Sequence, residues 1–293
     1  MKDNITRTYC LCADFLRAMN YRDDIQATLS NAEVMTVAVV AARFFGGNSE
    51  QSLHFLHSHG YFTRTLSKSQ LNRRLHALPA ELWHTLLRLL GEVFKSHNTD
   101  QHYVVDSLPV PVCDNIRIKA CKLLPLPAPL PALLPALPEP APVPDKEAYR
   151  GYCASKRRYF FGFKLHLLIT GHGAPVEFVL TPGSCADISA FKEFTLDLPV
   201  GALIHADRAY TDYAEEDLLQ AAGGLTLQPQ RKKNAKRLLP LCKEFVSKPI
   251  RQRIETSFSQ LTNLFPKHIH AVTARGFVLK IICFLLAFAI QCL

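Results

Sequence analysis

The chain has 293 residues, with 34 Lys and Arg against 25 Asp and Glu, so its formal net charge is +9 with histidine neutral. A composition of 48% hydrophobic and 20% charged residues is typical of a globular protein and excludes a chain that is disordered throughout. The basic excess favours a polyanionic partner, although a basic soluble protein without such a partner carries the same charge.

The cysteines and both termini indicate where the protein acts. Nine cysteines are scattered without any Cys-x-x-Cys pair, which favours reduced thiols in a cytosolic protein. Charged residues begin at Lys2, so we expect no signal peptide. Residues 278–293 are nearly all apolar, but the uninterrupted part, 281–290, is well short of the ~20 residues that span a membrane. The pattern therefore predicts a buried C-terminal helix at about 272–292 and no membrane association.

Residues 1–98 have helical periodicity and predict an all-α N-terminal domain. Within it, Ser67-x-x-Gln70 has the form of a capping box and opens a short basic helix, residues 67–78. Its leucines fall on one face and leave basic side chains elsewhere. Two interpretations stay open: a recognition helix that lies in a DNA groove, with Lys68, Arg73 and Arg74 contacting DNA, or an ordinary solvated helix face.

From residue 99 onward the periodicity alternates between strand and helix. We expect five strands, at 102–106, 163–170, 176–181, 202–206 and 225–228, and helices at about 188–196, 212–222 and 249–265. Three antiparallel strands followed by strands separated by helices predict an RNase H-like α/β domain over 99–293, a mixed five-stranded sheet flanked by helices. The first strand is expected to end at Asp106, because prolines 109 and 111 are not tolerated in a central strand.

A proline-rich insertion, residues 125–144, separates the first two predicted strands. Nine of its twenty residues are proline, so it cannot form a helix or a central strand. We interpret it as an extended polyproline spacer or a solvated insertion that the fold can do without.

Three carboxylates occupy positions at which a metal site is conceivable. Asp106 and Asp207 each follow a short apolar strand, where a carboxylate is costly unless a metal ion or hydrogen bonds compensate. Either aspartate alone could instead cap a helix or a turn. Glu255 borders the apolar stripe of the last predicted helix, and a surface ion pair with Arg251 explains it equally well. Helix geometry alone does not decide between these roles.

Four blocks, in order, resemble the bacterial insertion-sequence transposases of the DDE class, in particular the family numbered nine-eight-two. The blocks are HYVVDSLPVPVCDNIR at 102–117, RGYCASKRRYFFGFKLHLLIT at 150–170, HADRAY at 205–210 and RQRIETSFSQL at 251–261. The resemblance implies that Asp106, Asp207 and Glu255 are catalytic and hold two Mg²⁺ ions, with Mn²⁺ as a substitute. It implies metal-dependent cleavage at the ends of the element and strand transfer into target DNA.

The resemblance also implies the partners and the phosphate contacts. The expected partners are double-stranded DNA, as terminal inverted repeats and as target, and further copies of the chain on the DNA ends, acting in the cytoplasm at the nucleoid. Phosphate contacts are expected from a set of basic residues in the second half of the chain: Lys156, Arg157, Arg158, Arg231, Lys232, Lys233 and Arg251.

The region around Glu255 departs from related DDE families, which place Tyr three residues before the Arg and Lys seven residues after the Glu. Here Lys248 and Thr262 stand at those two positions, so contacts to the flanking phosphate are expected from elsewhere. Two alternatives to a transposase therefore stay open. One is an RNase H-like nuclease that does not join strands, and the other is a transposase-derived DNA-binding protein without catalysis.

Overall fold

The computed structural model describes residues 1–124, 145–153, 157–232, 234–238 and 240–293, without the side chains at 241–244, 246–248, 251 and 254. The proline-rich insertion 125–144 lies outside the described residues. Contacts between Cα atoms divide the chain into two compact units. Unit 1 is Met1–Leu87 with Gln260–Leu293, and unit 2 is Arg88–Ser259.

Unit 1 is helical. Its helices are α1 (Lys2–Ala18), α2 (Asn31–Phe44), α3 (Ser49–Ser58), α4 (Lys68–Ala77), the start of α5 (Ala80–His97), the end of α8 (Leu241–Leu264) and α9 (Ala274–Cys292). The predicted capping box before α4 is present: the Ser67 side chain accepts the Gln70 backbone N–H, and the Gln70 side chain accepts the Ser67 backbone N–H.

The apolar C-terminal helix α9 packs against α2. Both helices are apolar on nearly every face, so each needs an apolar neighbour on several sides. By length and composition α9 could cross a membrane, but 72% of its 18-residue apolar window is buried, as in the core helix of a soluble protein. The compact units thus place this helix with the N-terminal helices, whereas the sequence assigns it to the domain 99–293. The functional division at residue 98 stays a prediction.

Unit 2 is built on a six-stranded mixed sheet. Its strands are β1 (His102–Cys113), β2 (Arg150–Cys153), β3 (Arg158–Thr170), β4 (Pro175–Pro182), β5 (Leu203–Ala206) and β6 (Thr226–Pro229). The spatial order is β4-β3-β1-β5-β6, and the short β2 pairs with the first residues of β3. Strand β1 is antiparallel to β3 and parallel to β5, and β5 is parallel to β6. This is the RNase H-like arrangement that the sequence predicts, with β2 as an additional sixth strand.

Two boundaries in unit 2 differ from the sequence prediction because of prolines. Strand β1 does not end at Asp106 but continues through Pro109 and Pro111 to Cys113. Beyond Val105 it has a ladder partner on one side only among the described residues, so its prolines lie on an edge, where a missing N–H is tolerated.

The second boundary is the start of α8, which begins at Leu241 and contains Pro249 in its interior, rather than starting there. One missing backbone hydrogen bond does not end a helix of 24 residues, although it weakens that turn.

The remaining helices of unit 2 are short and cover the sheet. Helix α6 (Asp187–Phe191) is shorter than predicted. Helix α7 (Tyr213–Gly223) starts one residue after the predicted start, Asp212, whose side chain caps it, and it is followed by Gly224 in a left-handed conformation. A core cluster forms on one face of the sheet and includes Tyr103, Val105, Leu168, Phe191, Ile204, Ala206 and Tyr210.

Candidate active site

Two aspartates lie next to each other where the pairing of the inner strands β1 and β5 ends. Val105 of β1 and Ala206 of β5 are in register in neighbouring parallel strands. The next residues along the chain are Asp106, which lies within β1, and Asp207, which is the first residue after β5, so the two aspartates lie where the pairing of β1 with β5 ends. Because side chains alternate along a strand, two residues in parallel register point to the same face.

Each of these carboxylates also has a local backbone partner. One Asp106 oxygen, Oδ1, accepts the Ser107 backbone N–H at 2.7 Å. Asp207 Oδ1 accepts the backbone N–H of Ala209 at 2.8 Å and so caps the 3-10 turn Arg208–Tyr210. Asp207 therefore has the capping role that the sequence left open. The bond to Oδ1 also fixes the position of the Asp207 carboxylate.

The buried Tyr210 lies close to both aspartates. Burial, followed by the negative charges of Asp187, Asp106 and Asp207, holds the pKa of Tyr210 well above its usual value. The phenol is therefore protonated at neutral pH, and the Ser107 side chain is hydrogen-bonded to it.

Behind Tyr210 lies a fully buried histidine, His166 of β3. Its Nδ1 is 3.4 Å from the Tyr210 hydroxyl, and its Nε2 is 3.0 Å from Thr181 Oγ1. Burial lowers the pKa of His166 to about 4, so the imidazole is neutral at pH 7. Asp187 Oδ1 lies 3.6 Å from His166 Nδ1 and 3.4 Å from Lys164 Nζ.

Sequence reasoning did not single out the polar residues around Tyr210. The available signal was a histidine within an otherwise apolar run, Leu165–Ile169, which only a polar partner on another element can satisfy. The partners come from three separate segments: Tyr210 follows β5, Thr181 lies in β4 and Asp187 opens α6.

Glu255 is exposed and lies apart from the two aspartates. On the same helix, α8, Arg253 Nη1 donates to the Gly171 carbonyl at 3.2 Å, and Ser257 lies against Gly173, where an added Cβ would meet its hydroxyl. The Gly171 N–H donates to the His102 carbonyl at the start of β1, four residues before Asp106. Glu255 is two residues from each of these contact residues, which is about 200° around the helix. It therefore faces away from this contact.

Among the described residues, no three or more His, Cys, Asp or Glu side chains form a group that could hold a metal ion. The two aspartates fit Mg²⁺ in kind, because carboxylate oxygens are its preferred ligands, and they supply two of the three side chains that the resemblance implies. The metal-binding role of Glu255 stays a prediction.

The predicted DNA contacts of unit 1 have different surroundings. Lys68 Nζ lies 3.0 Å from Glu50 in an exposed ion pair. Arg74 Nη2 donates to Asn31 Oδ1 at 2.9 Å, which ties α4 to the start of α2. Arg73 is exposed. Of the three, Arg73 is the one that is exposed and has neither an ion pair nor a side-chain hydrogen bond with a described residue.

The predicted DNA contacts of unit 2 also divide into two kinds. Arg157, Arg158 and Lys232 are exposed. The side chain of Arg231 is only 4% exposed, and it is ion-paired with Glu216 at 2.5 Å, so it does not present its charge to a ligand. The remaining three predicted contacts, Lys156, Lys233 and the side chain of Arg251, lie outside the described residues.

The strand order and the two adjacent aspartates are those of an RNase H-like protein. Residues 97–290 match the family model of the transposase DDE domain, and the chain belongs to this family of transposases. The match does not distinguish the particular insertion-sequence family, which stays a prediction. A solved structure similar to the chain is that of the piggyBac transposase synaptic complex with hairpin DNA, with 11% identity, a TM-score of 0.46, and coverage of 98% of this chain and 71% of that one. No curated protein matches the chain.

Proposed function

We propose that this transposase cleaves DNA phosphodiesters at the ends of an insertion sequence and joins the resulting 3′ ends to target DNA. The observation that carries the proposal is that Asp106 and Asp207 directly follow Val105 and Ala206, a register pair of the parallel strands β1 and β5, in a chain that belongs to the transposase DDE domain family. The DNA ends and the target are its proposed partners. Further copies of the chain would assemble on the paired ends, in the cytoplasm at the nucleoid.

Asp106 and Asp207 would hold divalent ions, Mg²⁺ or Mn²⁺, and Glu255 is the third ligand that the resemblance implies. Bound there, such ions polarise the attacking and leaving oxygens of the phosphodiester. Glu255 would join the aspartates only if the α8 segment around it presents a different face to the sheet, because its present contact face carries Arg253 and Ser257.

The neighbouring polar side chains support the aspartates. The Tyr210 phenol is protonated and buried, both carboxylates raise its pKa through their negative charge, and its hydrogen bond to the Ser107 side chain ties it to the residue next to Asp106. Neutral His166 bridges Tyr210 and Thr181, which limits rotation of the phenol. We assign Tyr210 and His166 a positioning role, since the geometry gives neither a contact with the reacting phosphate.

A specific observation favours one rival, a transposase-derived DNA-binding protein without catalysis. Glu255 does not lie with the two aspartates, and Lys248 and Thr262 depart from the pattern of related families. The other rival, a nuclease without strand transfer, has the same aspartate pair and differs only in whether the cleaved 3′ end is joined to another duplex.

The experiment is a cleavage and strand-transfer assay with Mg²⁺, a duplex that carries the terminal inverted repeat, and a second duplex as target. We expect Asp106→Ala and Asp207→Ala each to abolish cleavage while DNA binding is retained. A matched control is Asp114→Ala, which removes an exposed carboxylate just beyond β1 that makes no side-chain cap bond. Glu255→Ala tests the third ligand.

The outcomes separate the three functions. Cleavage with joining supports the transposase, and cleavage without joining supports the nuclease. DNA binding without cleavage by the unaltered protein, under Mg²⁺ or Mn²⁺, supports the non-catalytic protein. Cleavage by Asp106→Ala at the unaltered rate would overturn the assignment of the site.

A further inference from the structure

Two exposed tyrosines lie opposite each other in β2 and β3, close to the end of β2 and the start of β3. Tyr152 and Tyr159 are register partners in antiparallel strands, with ring centroids 5.0 Å apart and ring planes tilted by 55°. Their residues are 52% and 67% exposed. We call this pair the tyrosine platform.

The exposure of this pair is not explained by folding. Large aromatic side chains stabilise a fold when they are buried, and β3 itself supplies buried rings elsewhere: Phe161 and Phe163 are almost fully buried. Each ring of the platform contacts the other and leaves much of its remaining surface in water. Exposed aromatic surface of this kind is common at binding sites.

The surroundings of the platform are basic. Arg157 and Arg158 directly precede Tyr159, both are exposed, and neither forms an ion pair with a described residue. The 3-10 helix Asn115–Ala120 lies alongside, because Asn115 Nδ2 donates to the Tyr159 carbonyl at 3.1 Å. That helix adds the exposed Arg117. Positive charge and exposed aromatic rings therefore lie at the same end of the β2–β3 ribbon.

This combination fits unpaired nucleotides better than a duplex. A B-form duplex stacks its bases on one another and presents phosphates and groove edges, for which arginines alone suffice. Exposed aromatic rings add binding energy when a base face is available to stack on them, and every base has such a face. Arginines beside the rings match the phosphates of the same strand.

The platform is remote from the aspartates. Asp106 is the register partner of Leu167, and Tyr159 lies eight residues before Leu167 in β3. At about 3.3 Å per residue the separation along the strand is roughly 26 Å. A nucleotide bound on the platform is therefore not the one that reacts at Asp106 and Asp207, but one several nucleotides away along the DNA.

We propose that Tyr152 and Tyr159 form a stacking site for unpaired bases of a DNA strand, with Arg157 and Arg158 binding the adjoining phosphates. The inference rests on the proposed function in that it takes DNA as the ligand. It adds a single-stranded element to that substrate and a place on the protein that holds it.

The test measures binding of the full chain to oligothymidine of about 16 nucleotides and to a duplex of the same length, by fluorescence anisotropy in EDTA. The double variant Tyr152→Ala/Tyr159→Ala should bind oligothymidine about tenfold more weakly or worse, because the bases no longer stack, and should bind the duplex within about twofold of the unaltered protein. Tyr152→Phe/Tyr159→Phe keeps the rings and should retain the affinity. Tyr152→Leu/Tyr159→Leu keeps apolar bulk without an aromatic face and should behave as the alanine variant does.

A matched control for the removal of an exposed tyrosine is Tyr9→Ala in α1, which should change neither affinity. Equal weakening for oligothymidine and duplex, or no weakening for either, would overturn the stacking site, as would full affinity in the leucine variant. Because binding is measured without metal, this result is independent of cleavage. A protein that cleaves DNA can fail this test, and a protein with no nuclease activity can pass it.

Discussion

Two basic segments of unit 2 carry the same charge in opposite surroundings. The first segment is Arg157 and Arg158, at the start of β3. Both side chains are exposed, and neither has an ion pair with a described residue. Arg231 and Arg237, after β6, are held against α7. The sequence assigns phosphate binding to Arg157, Arg158 and Arg231 alike, yet only the first two present their charge to solvent.

Helix α7 occupies the guanidinium groups of the second segment. Arg231 pairs with Glu216, and Arg237 makes two hydrogen bonds to the carboxylate of Asp217, at 2.7 and 2.8 Å. Both guanidinium groups also lie over the ring of Tyr213, at 5.0 and 5.1 Å from its centroid. A count of basic residues therefore overstates the positive charge that this part of the protein offers to DNA, because partners on a neighbouring helix neutralise it.

The largest expected effect comes from Arg231→Met, which should lower the free energy of unfolding by about 3–5 kcal/mol, measured by chemical denaturation. The reason is that Glu216, whose side chain is only 9% exposed, would lose its close ion pair with Arg231 and keep only the guanidinium of Arg237, 4.0 Å away. The double variant Arg231→Met/Glu216→Leu should be more stable than Arg231→Met alone. If Arg231→Met kept its stability and bound DNA more weakly, the two basic segments would not differ in the way described above.

The next effect is on DNA affinity. Arg157→Ala/Arg158→Ala should weaken duplex binding and reduce the slope of log K against log salt by about 0.9 for each phosphate that the variant no longer neutralises. The free energy of unfolding should change by less than about 0.5 kcal/mol, because both side chains are exposed. The control Arg150→Ala removes an arginine already paired with Glu147 at 3.0 Å and should change the slope less. Equal slopes for the two variants would show that exposure does not select the residues that bind DNA.

Helix α4 repeats the comparison within two adjacent residues. Arg73→Ala should reduce the slope of log K against log salt by the equivalent of roughly one phosphate and should leave the free energy of unfolding unchanged. Arg74→Ala should cost about 1 kcal/mol of unfolding free energy, because it removes the hydrogen bond to Asn31. Salt titrations and denaturation of the two single variants check both statements, and the reverse assignment of effects would mean that Arg74 leaves Asn31 to bind DNA.

The smallest effect is expected at Arg237. Its hydrogen bonds to Asp217 lower the pKa of that carboxyl. A carboxyl with a lowered pKa in the folded state stabilises the fold above its unfolded pKa, and the contribution disappears as the pH falls through the folded pKa. Arg237→Ala should therefore raise the pKa of Asp217 toward its ordinary value in an NMR titration and should flatten the acid side of the stability profile slightly. An unchanged Asp217 pKa would show that this pair does not persist in solution.

Much of the fold could be predicted because its signals are local. Alternating apolar residues indicate the strands, and the capping box at Ser67, the cap at Asp212 and the glycine that ends α7 mark helix boundaries through contacts within a few residues. The end of β1 was predicted wrongly because the tolerance of a proline depends on whether the strand has a neighbour on that side, and this is a property of the sheet.

The candidate site divides in the same way. The apolar runs that lead into Asp106 and Asp207 were evident in the sequence, and the pairing of β1 with β5 brings the two residues together. The support from Tyr210, His166 and Thr181 was not evident, because each comes from a different segment and is satisfied only by the others.

The sequence by itself therefore determined the order of five of the six strands and of the helices that separate them, the net positive charge and the two aspartates that follow apolar runs. Only the tertiary structure decided which charges are available. Arg231 meets Glu216, Arg74 meets Asn31 and Arg158 meets no described acidic residue, according to which elements pack together. The physical reason is that periodicity and capping depend on neighbours within one or two helical turns. An ion pair or a buried hydrogen bond depends on a partner that is distant in sequence, and residue types alone do not specify which partner that is.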